Sequence, residues 1–137
     1  MIKTSVAEMH LDEDGILCIK MLPGVDVTLE KVKEYFEVSN QLLAGKMALV
    51  LFDATAEYSI TEEAKAYVSG KEASQNRIAI AYLTRSVTNG LMLNLYLKIY
   101  SPPVPTRMFS SKGRALKWLN SFYVMPGDKF VRVKRRN

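Results

Sequence analysis

Residues 47–55, Met47-Ala48-Leu49-Val50-Leu51-Phe52-Asp53-Ala54-Thr55, constrain the fold more than any other stretch of this chain. Six apolar residues run without a charge and stop abruptly at Asp-Ala-Thr, with Gly45-Lys46 in front. A strand with one wet face alternates; an unbroken apolar run between turn signals reads as a strand covered on both faces. Such a strand sits mid-sheet with layers above and below it. Its carboxyl end is where open α/β sheets present ligand and partner surface. Asp53 and Thr55, which close the run, therefore fall where function is expected.

The flanking sequence supplies the neighbours this strand needs. Ser5 to Leu11 alternates, with Ala7, Met9 and Leu11 on one face and Glu8 and His10 on the other. Asp12-Glu13-Asp14-Gly15 is a turn, and Ile16 to Leu22 returns as a second strand ended by Pro23-Gly24, which makes a hairpin. Thr28 caps a helix running through Ala44, with Glu30 in its first turn and Gly45 as its stop. Its apolar stripe is Leu29, Val32, Phe36 and Leu43.

Beyond the central strand, residues 56–60 read as a loop. Thr61 opens a second helix to Ser69, which Lys71 to Gln75 extend past a break at Gly70. Ile78 to Leu83 is another buried strand, and its two alanines call for a closely packed helix. A third helix covers residues 87–100. Thr106 to Phe109 is an edge strand, because Pro102, Pro103 and Pro105 precede it. Ser110 or Ser111 caps a fourth helix carrying Ala115, Leu116, Trp118, Leu119 and Phe122, ended by Pro126-Gly127. The order β-β-α-β-α-β-α-β-α predicts an α/β (α+β mixed) fold. It has a mixed sheet with an N-terminal hairpin, a parallel core and helices packed on it.

A length of 137 residues suits one domain, drawn here as 1–125 with a basic tail over 126–137. The net charge of +5 is a tail property: residues 128–137 carry +4 and the remaining 127 residues +1. A near-neutral body argues against nucleic acid as a partner, and the tail reads as a solvated end with Phe130-Val131 as a possible short strand. No apolar stretch approaches the roughly 20 residues of a membrane helix. The N-terminal residues lack a signal-peptide pattern, and a single cysteine, Cys18, fits a reducing compartment, so the expected location is cytoplasmic.

Candidate chemistry is sparse. His10 is the only histidine, so a His-rich metal cluster is excluded. Cys18 as a nucleophile would need His10 as its base across the hairpin; a half-buried inert thiol is the simpler reading. Asp12, Glu13 and Asp14 lack the ligand spacing and flanking helices of a calcium loop. No glycine-rich phosphate loop and no nucleophile elbow occurs. The expectation is therefore a chain with no enzyme activity, no metal and no cofactor. The predicted third helix carries more large apolar residues than one sheet-facing stripe uses. Leu93, Tyr96, Leu97 and Tyr100 remain as a candidate interface, most simply for a homodimer.

Several segments together resemble a known group. They are Phe52-Asp53-Ala54-Thr55, Thr61-Glu62-Glu63-Ala64, Arg77-Ile78-Ala79-Ile80-Ala81, Ser86-Val87-Thr88-Asn89, Pro105-Thr106-Arg107-Met108-Phe109 and Ala115-Leu116-Lys117-Trp118-Leu119. Over residues 5–123 the pattern resembles the small bacterial SpoIIAA-like (STAS or CRAL-TRIO-like) domains. The resemblance implies a mixed sheet with helices, no enzyme activity, and protein–protein signalling or apolar ligand binding. In the anti-sigma-factor antagonists of that group, a hydroxyl two residues after an Asp at the end of the third strand is phosphorylated. Asp53 and Thr55 match these positions, while Ala54 stands for a hydroxyl residue and Ala56 for glycine, so the phosphoacceptor motif is not intact. Phosphorylation there would add about −1.5 to −2 charge; the alternative is that Asp53 and Thr55 only bond the local backbone.

The expected function is accordingly a non-enzymatic, protein-binding regulatory domain with Asp53, Thr55, Glu57, Tyr58 and Ser59 as its partner loop. The amides that open the Thr61 helix would favour an anion beside it. The alternative is a carrier or sensor of a small apolar, lipid-like ligand.

Overall fold

The computed structural model describes residues 1–85, 102–124 and 133–135. Its centre is a six-stranded mixed sheet in the order β1-β2-β3-β5-β7-β8. The strands are β1 Ile2–Lys3, β2 Ala7–Leu11, β3 Leu17–Met21, β5 Ala48–Asp53, β7 Arg77–Leu83 and β8 Thr106–Phe109. The hairpin β2–β3 and the short β1 are antiparallel; β3, β5, β7 and β8 are parallel. β5, the apolar run that dominates the sequence, lies between β3 and β7 and is covered on both faces. Val50 joins the core on one side of it and Leu51 the core on the other.

Two helices cover the first face. α1 Leu29–Leu43 is capped by Thr28, whose hydroxyl accepts from the Lys31 amide, and it buries Val32, Tyr35, Phe36, Ser39 and Leu43. Ala44, rather than Gly45, takes the left-handed cap position at φ 51°, with Gly45 also positive at 81°. α2 Glu62–Val68 is capped by Thr61 as the sequence predicts. On the opposite face lies α3 Lys112–Leu119, capped by Ser111, which buries Ala115, Trp118 and Leu119. Ala79 and Ala81 of β7 and Ala115 of α3 are all fully buried in that layer. Small residues on both partners let helix and sheet approach closely, as the alanines of the apolar run predict.

Several local expectations change. Residues 71–76 form turns rather than a helical extension, and Asn76 at φ 63° redirects the chain into β7. Ser59–Ile60 is not loop: it forms β6, which pairs in parallel with β4 Asp26–Val27. The last described helix ends at Leu119 with Asn120 as its cap, so Phe122 is not helical but opens β9 Phe122–Val124. Val133–Arg135 forms β10 and pairs antiparallel with β9, so part of the basic segment is joined to the body by ladder hydrogen bonds. The expected helix over 87–100, the Pro126-Gly127 stop and a strand at Phe130-Val131 lie outside the described residues. Among the described residues no helix is long and apolar enough to cross a membrane.

Trp118 is 9% exposed and packs against Phe109 at 5.7 Å and edge-on against Phe122 at 5.0 Å. Trp118→Ala should therefore lower stability by about 3–5 kcal/mol, the range for an emptied aromatic core site. Chemical denaturation measures this, and near-wild-type stability would mean the indole holds little of the α3 layer together.

Candidate functional site

The carboxyl end of β5 is built as a tight turn. Asp53 Oδ1 accepts the Thr55 amide at 3.0 Å and the Thr55 hydroxyl at 2.5 Å. Ala54 donates its amide to the Leu83 carbonyl at 2.9 Å, which carries the β5–β7 ladder one step into the loop. The next residues are held from the other side: Gly24 donates to the Glu57 carbonyl at 2.7 Å, and Ser59 to the Val25 carbonyl at 3.0 Å. The Ser59 hydroxyl also bonds the Asp26 carboxylate. Six backbone or side-chain bonds thus fix a segment of seven residues, 53–59, between the sheet and β4.

Side chains of this loop differ in exposure. Glu57 lies 3.7 Å from Arg85; with both side chains mostly exposed, that pair contributes little. Ala54, Ala56 and Tyr58 are half-buried, and together with Glu57 they line a cavity of about 470 Å³. The two alanines that break the resembled phosphoacceptor motif are therefore cavity wall. Small apolar side chains there leave room that larger ones would fill.

The cavity lies between the first face of the sheet and the helices α1 and α2. Ile19, Val50, Phe52 and Ile80 form its floor, and Val32 and Phe36 of α1 face them. Most of the lining is aliphatic or aromatic, with a few polar groups. Tyr35 is among these, 6% exposed, its ring edge-on to Phe52 at 6.4 Å. Its hydroxyl makes no hydrogen bond to a described residue. Burial raises the Tyr35 phenol well above its ordinary range, with Arg77 acting in the opposite sense. Tyr58 is raised by burial as well. Both phenols are neutral at physiological pH.

Arg77 is another of the polar wall residues, with Glu57, Lys65 and Thr84. It opens β7, is 3% exposed, and donates from Nη1 to Asn40 Oδ1 at 2.5 Å and the Gln75 carbonyl at 2.6 Å, and from Nη2 to Ser39 Oγ at 2.6 Å. Its guanidinium carbon stands 5.3 Å from the centre of the Phe36 ring.

Other sequence candidates sit apart from this cavity. Cys18 is directly across the β2–β3 ladder from His10, as a nucleophile and base would be. Burial, then the charge of Asp12, raises the Cys18 thiol, while Lys112 pulls it down; the thiol also bonds the Ile16 carbonyl at 3.7 Å. It is protonated at neutral pH and is not activated. Asp12 Oδ1 accepts the amides of Asp14 and Ile16, both at 2.9 Å, which commits that acid to the hairpin turn. No group of three metal-ligating side chains occurs among the described residues. At the start of α2 the Thr61 hydroxyl takes the Ala64 amide, and Glu62 and Glu63 put negative charge beside the place where an anion is expected. Leu93, Tyr96, Leu97 and Tyr100, the candidate interface, lie outside the described residues.

The cavity itself, Tyr35 and Arg77 do not emerge from sequence reasoning. The available signal was an arginine opening the otherwise apolar run 77–83, with Tyr35 and Ser39 four residues apart on the apolar stripe of α1.

The chain belongs to a family defined as a domain of unknown function (DUF7793), whose pattern matches residues 9–123. No curated protein matches it. Among solved structures it is similar to an uncharacterized protein of the DUF3478 family with a SpoIIAA-like fold from Shewanella loihica PV-4. That match has 17% identity over 87% of this chain and 98% of the other, with a TM-score of 0.62. A protein with unknown function from Arthrobacter sp. FB24 shares 28% identity over 82% of this chain and 98% of its own, with a TM-score of 0.32. The fold is thus SpoIIAA-like, as the sequence resemblance implies.

The buried phenols carry a pH signature. In the unfolded chain Tyr35 ionises near its ordinary value of 10.0, whereas the folded chain keeps it protonated to higher pH. Above that value the folded state binds more protons than the unfolded one, so stability falls as pH rises and is level below it. Tyr35→Phe should flatten this alkaline loss in urea midpoints measured on either side of pH 10.0. An unchanged slope would show that the phenol titrates normally in the fold.

Proposed function

We propose that this member of the DUF7793 family is a non-enzymatic binding domain that takes a small, largely apolar ligand into the cavity under α1 and α2. The observation that supports this best is the cavity: about 470 Å³, mostly apolar walls and a few inward polar groups. Small-molecule sites have this form, at about 300–1,000 Å³. The STAS or CRAL-TRIO-like resemblance of the sequence accords with it, since apolar ligand binding belongs to that group.

The 53–59 loop gives the binding a route to a partner. Ala54, Ala56 and Tyr58 line the cavity while Glu57 and Ser59 are exposed, so one short segment touches both the ligand space and the solvent. A ligand that displaces Tyr58 alters the surface that Glu57 presents. The domain then acts as a sensor whose loop reports occupancy to a protein.

A second reading, phosphorylation of Thr55, draws on one observation: Thr55 is half-exposed at the end of β5 with Asp53 accepting its hydroxyl proton. On that reading Thr55→Glu weakens partner binding and Thr55→Ala retains it. Phosphosite mapping of protein from its native cell decides it, and an unmodified Thr55 with variants that bind alike removes it.

The cavity reading is tested with Ile80→Trp. Ile80 forms part of the cavity floor, and the indole fills empty space instead of displacing packed atoms. The variant should fold with a melting temperature within about 5 °C of the parent. It should lose both Nile red fluorescence enhancement and any co-purifying small-molecule mass in native mass spectrometry. Equal dye binding by parent and variant would place the dye elsewhere and overturn the reading.

A further inference from the structure

Arg77 is a buried cation with no anionic partner among the described residues. Its three hydrogen-bond partners, an amide oxygen, a backbone carbonyl and a hydroxyl, are all neutral. The two ion pairs among the described residues, Lys65 with Glu62 and Arg85 with Glu57, do not involve it. The charged or polar neighbours that act on its ionisation are the phenols of Tyr35 and Tyr67, not carboxylates. The stretch 86–101, which links β7 to β8, contains no Asp or Glu to supply one. A guanidinium cannot shed its proton to escape this situation. A buried charge is ordinarily paired, because removing an ion from water is costly and its partner's attraction offsets that cost.

The same side chain lines the cavity. Beside it on the lining is Tyr35, buried and with no hydrogen-bond partner among the described residues. Two polar side chains, each more than nine-tenths buried, thus present donor capacity to one apolar space. Position adds a direction. Arg77 pairs with Ala48 at the start of β5, whereas Leu83 pairs with Asp53 at its end. The guanidinium and the 53–59 loop therefore stand at opposite ends of β7, roughly 20 Å apart at the strand rise of about 3.3 Å per residue.

We propose that the cavity's ligand is an amphipathic monocarboxylate, its carboxylate seated against Arg77 with the Tyr35 hydroxyl as a second donor, and its apolar body extending along β5 and β7 towards the 53–59 loop. The inference rests on the ligand-binding reading above and assigns its chemical class. A carboxylate matches the planar fork of a guanidinium and needs the donors that the neutral partners of Arg77 leave unused. Aliphatic and aromatic walls from Val32, Val50, Phe52 and Ile80 suit the rest of the molecule. The Asn40, Ser39 and Gln75 bonds and the Phe36 ring fix the position of the guanidinium in the wall.

Three ligands with one tail and different heads test the charge: decanoate, decanol and decyltrimethylammonium, titrated calorimetrically into the full chain at neutral pH. Decanoate should bind about tenfold or more tighter than decanol, the equivalent of one hydrogen bond to a charged group, and the cationic amphiphile most weakly. Arg77→Met should abolish the preference, so that decanoate no longer binds tighter than decanol to the same variant, and Tyr35→Phe should reduce it by a smaller factor. The ranking in the unaltered chain stands as a test even if Arg77→Met fails to fold. Equal or better binding of decanol or of the cation overturns the assignment, as does a preference that survives in folded Arg77→Met. Failure of decanoate to bind while Nile red still enters the cavity overturns the carboxylate alone. Failure of all three ligands and of Nile red removes the cavity reading with it.

Discussion

Everything in this fold follows from covering β5 on both faces, and the two coverings are built to different spacings. On the α3 side, Ala79, Ala81 and Ala115 are fully buried and bring helix against sheet. The aromatic cluster of Phe109, Trp118 and Phe122 then fills the rim of that layer. Side chains of one carbon leave no room between backbones that close, and interiors pack to crystal-like density. On the α1 side the opposing residues are large: Phe52 and Ile80 from the sheet, Tyr35 and Phe36 from the helix. Large residues hold the layers apart, and where their shapes do not interlock a void remains. One strand with alternating neighbours thus supports a layer built on small residues and a layer that holds a cavity.

The layer that holds the cavity is fixed by polar contacts as well as apolar ones. Arg77 ties the start of β7 to Ser39 and Asn40 of α1 and to the turn at Gln75. Each hydrogen bond to a charged group contributes about 1.5–3 kcal/mol, and the Phe36 face adds a cation–π contact worth about 0.5–2 kcal/mol. The desolvation penalty for such an ion is several kcal/mol. These opposing amounts are of the same order, which is how the guanidinium is tolerated in the wall with no carboxylate partner among the described residues. It also fixes the position of α1 relative to β7, and so sets the width of the cavity at that end.

How much of this was legible depended on the range of the interaction that decides each feature. Elements with several turns or alternations were readable: the Ala7–Leu11 pattern, the Thr28 and Thr61 caps, the central strand and the edge strand confined by prolines all appear where periodicity and capping chemistry put them. Two-residue strands were not, because β4 and β6 are too short to show a period and exist only through their pairing with each other. Phe122 misled for a related reason. It continues the i, i+3 spacing from Leu119, yet the helix has already closed at Asn120, where the backbone amide bonds the Leu116 carbonyl. The cavity was invisible because it is set by the distance between two layers, a property that no local pattern encodes. The position of residues 53–59 after the central strand was readable because it follows from β5 itself, whereas their place on the cavity wall was not.

That place on the wall changes the meaning of the departures from the resembled motif. A phosphoacceptor loop needs a hydroxyl free to meet a kinase and a backbone flexible enough to present it. Here Thr55 spends its hydroxyl proton on Asp53, and the segment is pinned by Gly24, Val25 and Leu83 through backbone bonds. Ala54 and Ala56 line the cavity, at the positions where a hydroxyl residue and a glycine would stand. A hydroxyl at 54 would face an apolar space, where a polar group without a partner is costly. Glycine at 56 would loosen a wall residue by the greater conformational freedom of its backbone. Both alanines therefore trade features that serve a flexible acceptor loop for features that serve a fixed, apolar wall. At the end of the central strand, Ala54, Ala56 and Tyr58 belong to the cavity wall, while Glu57 and Ser59 are open to solvent.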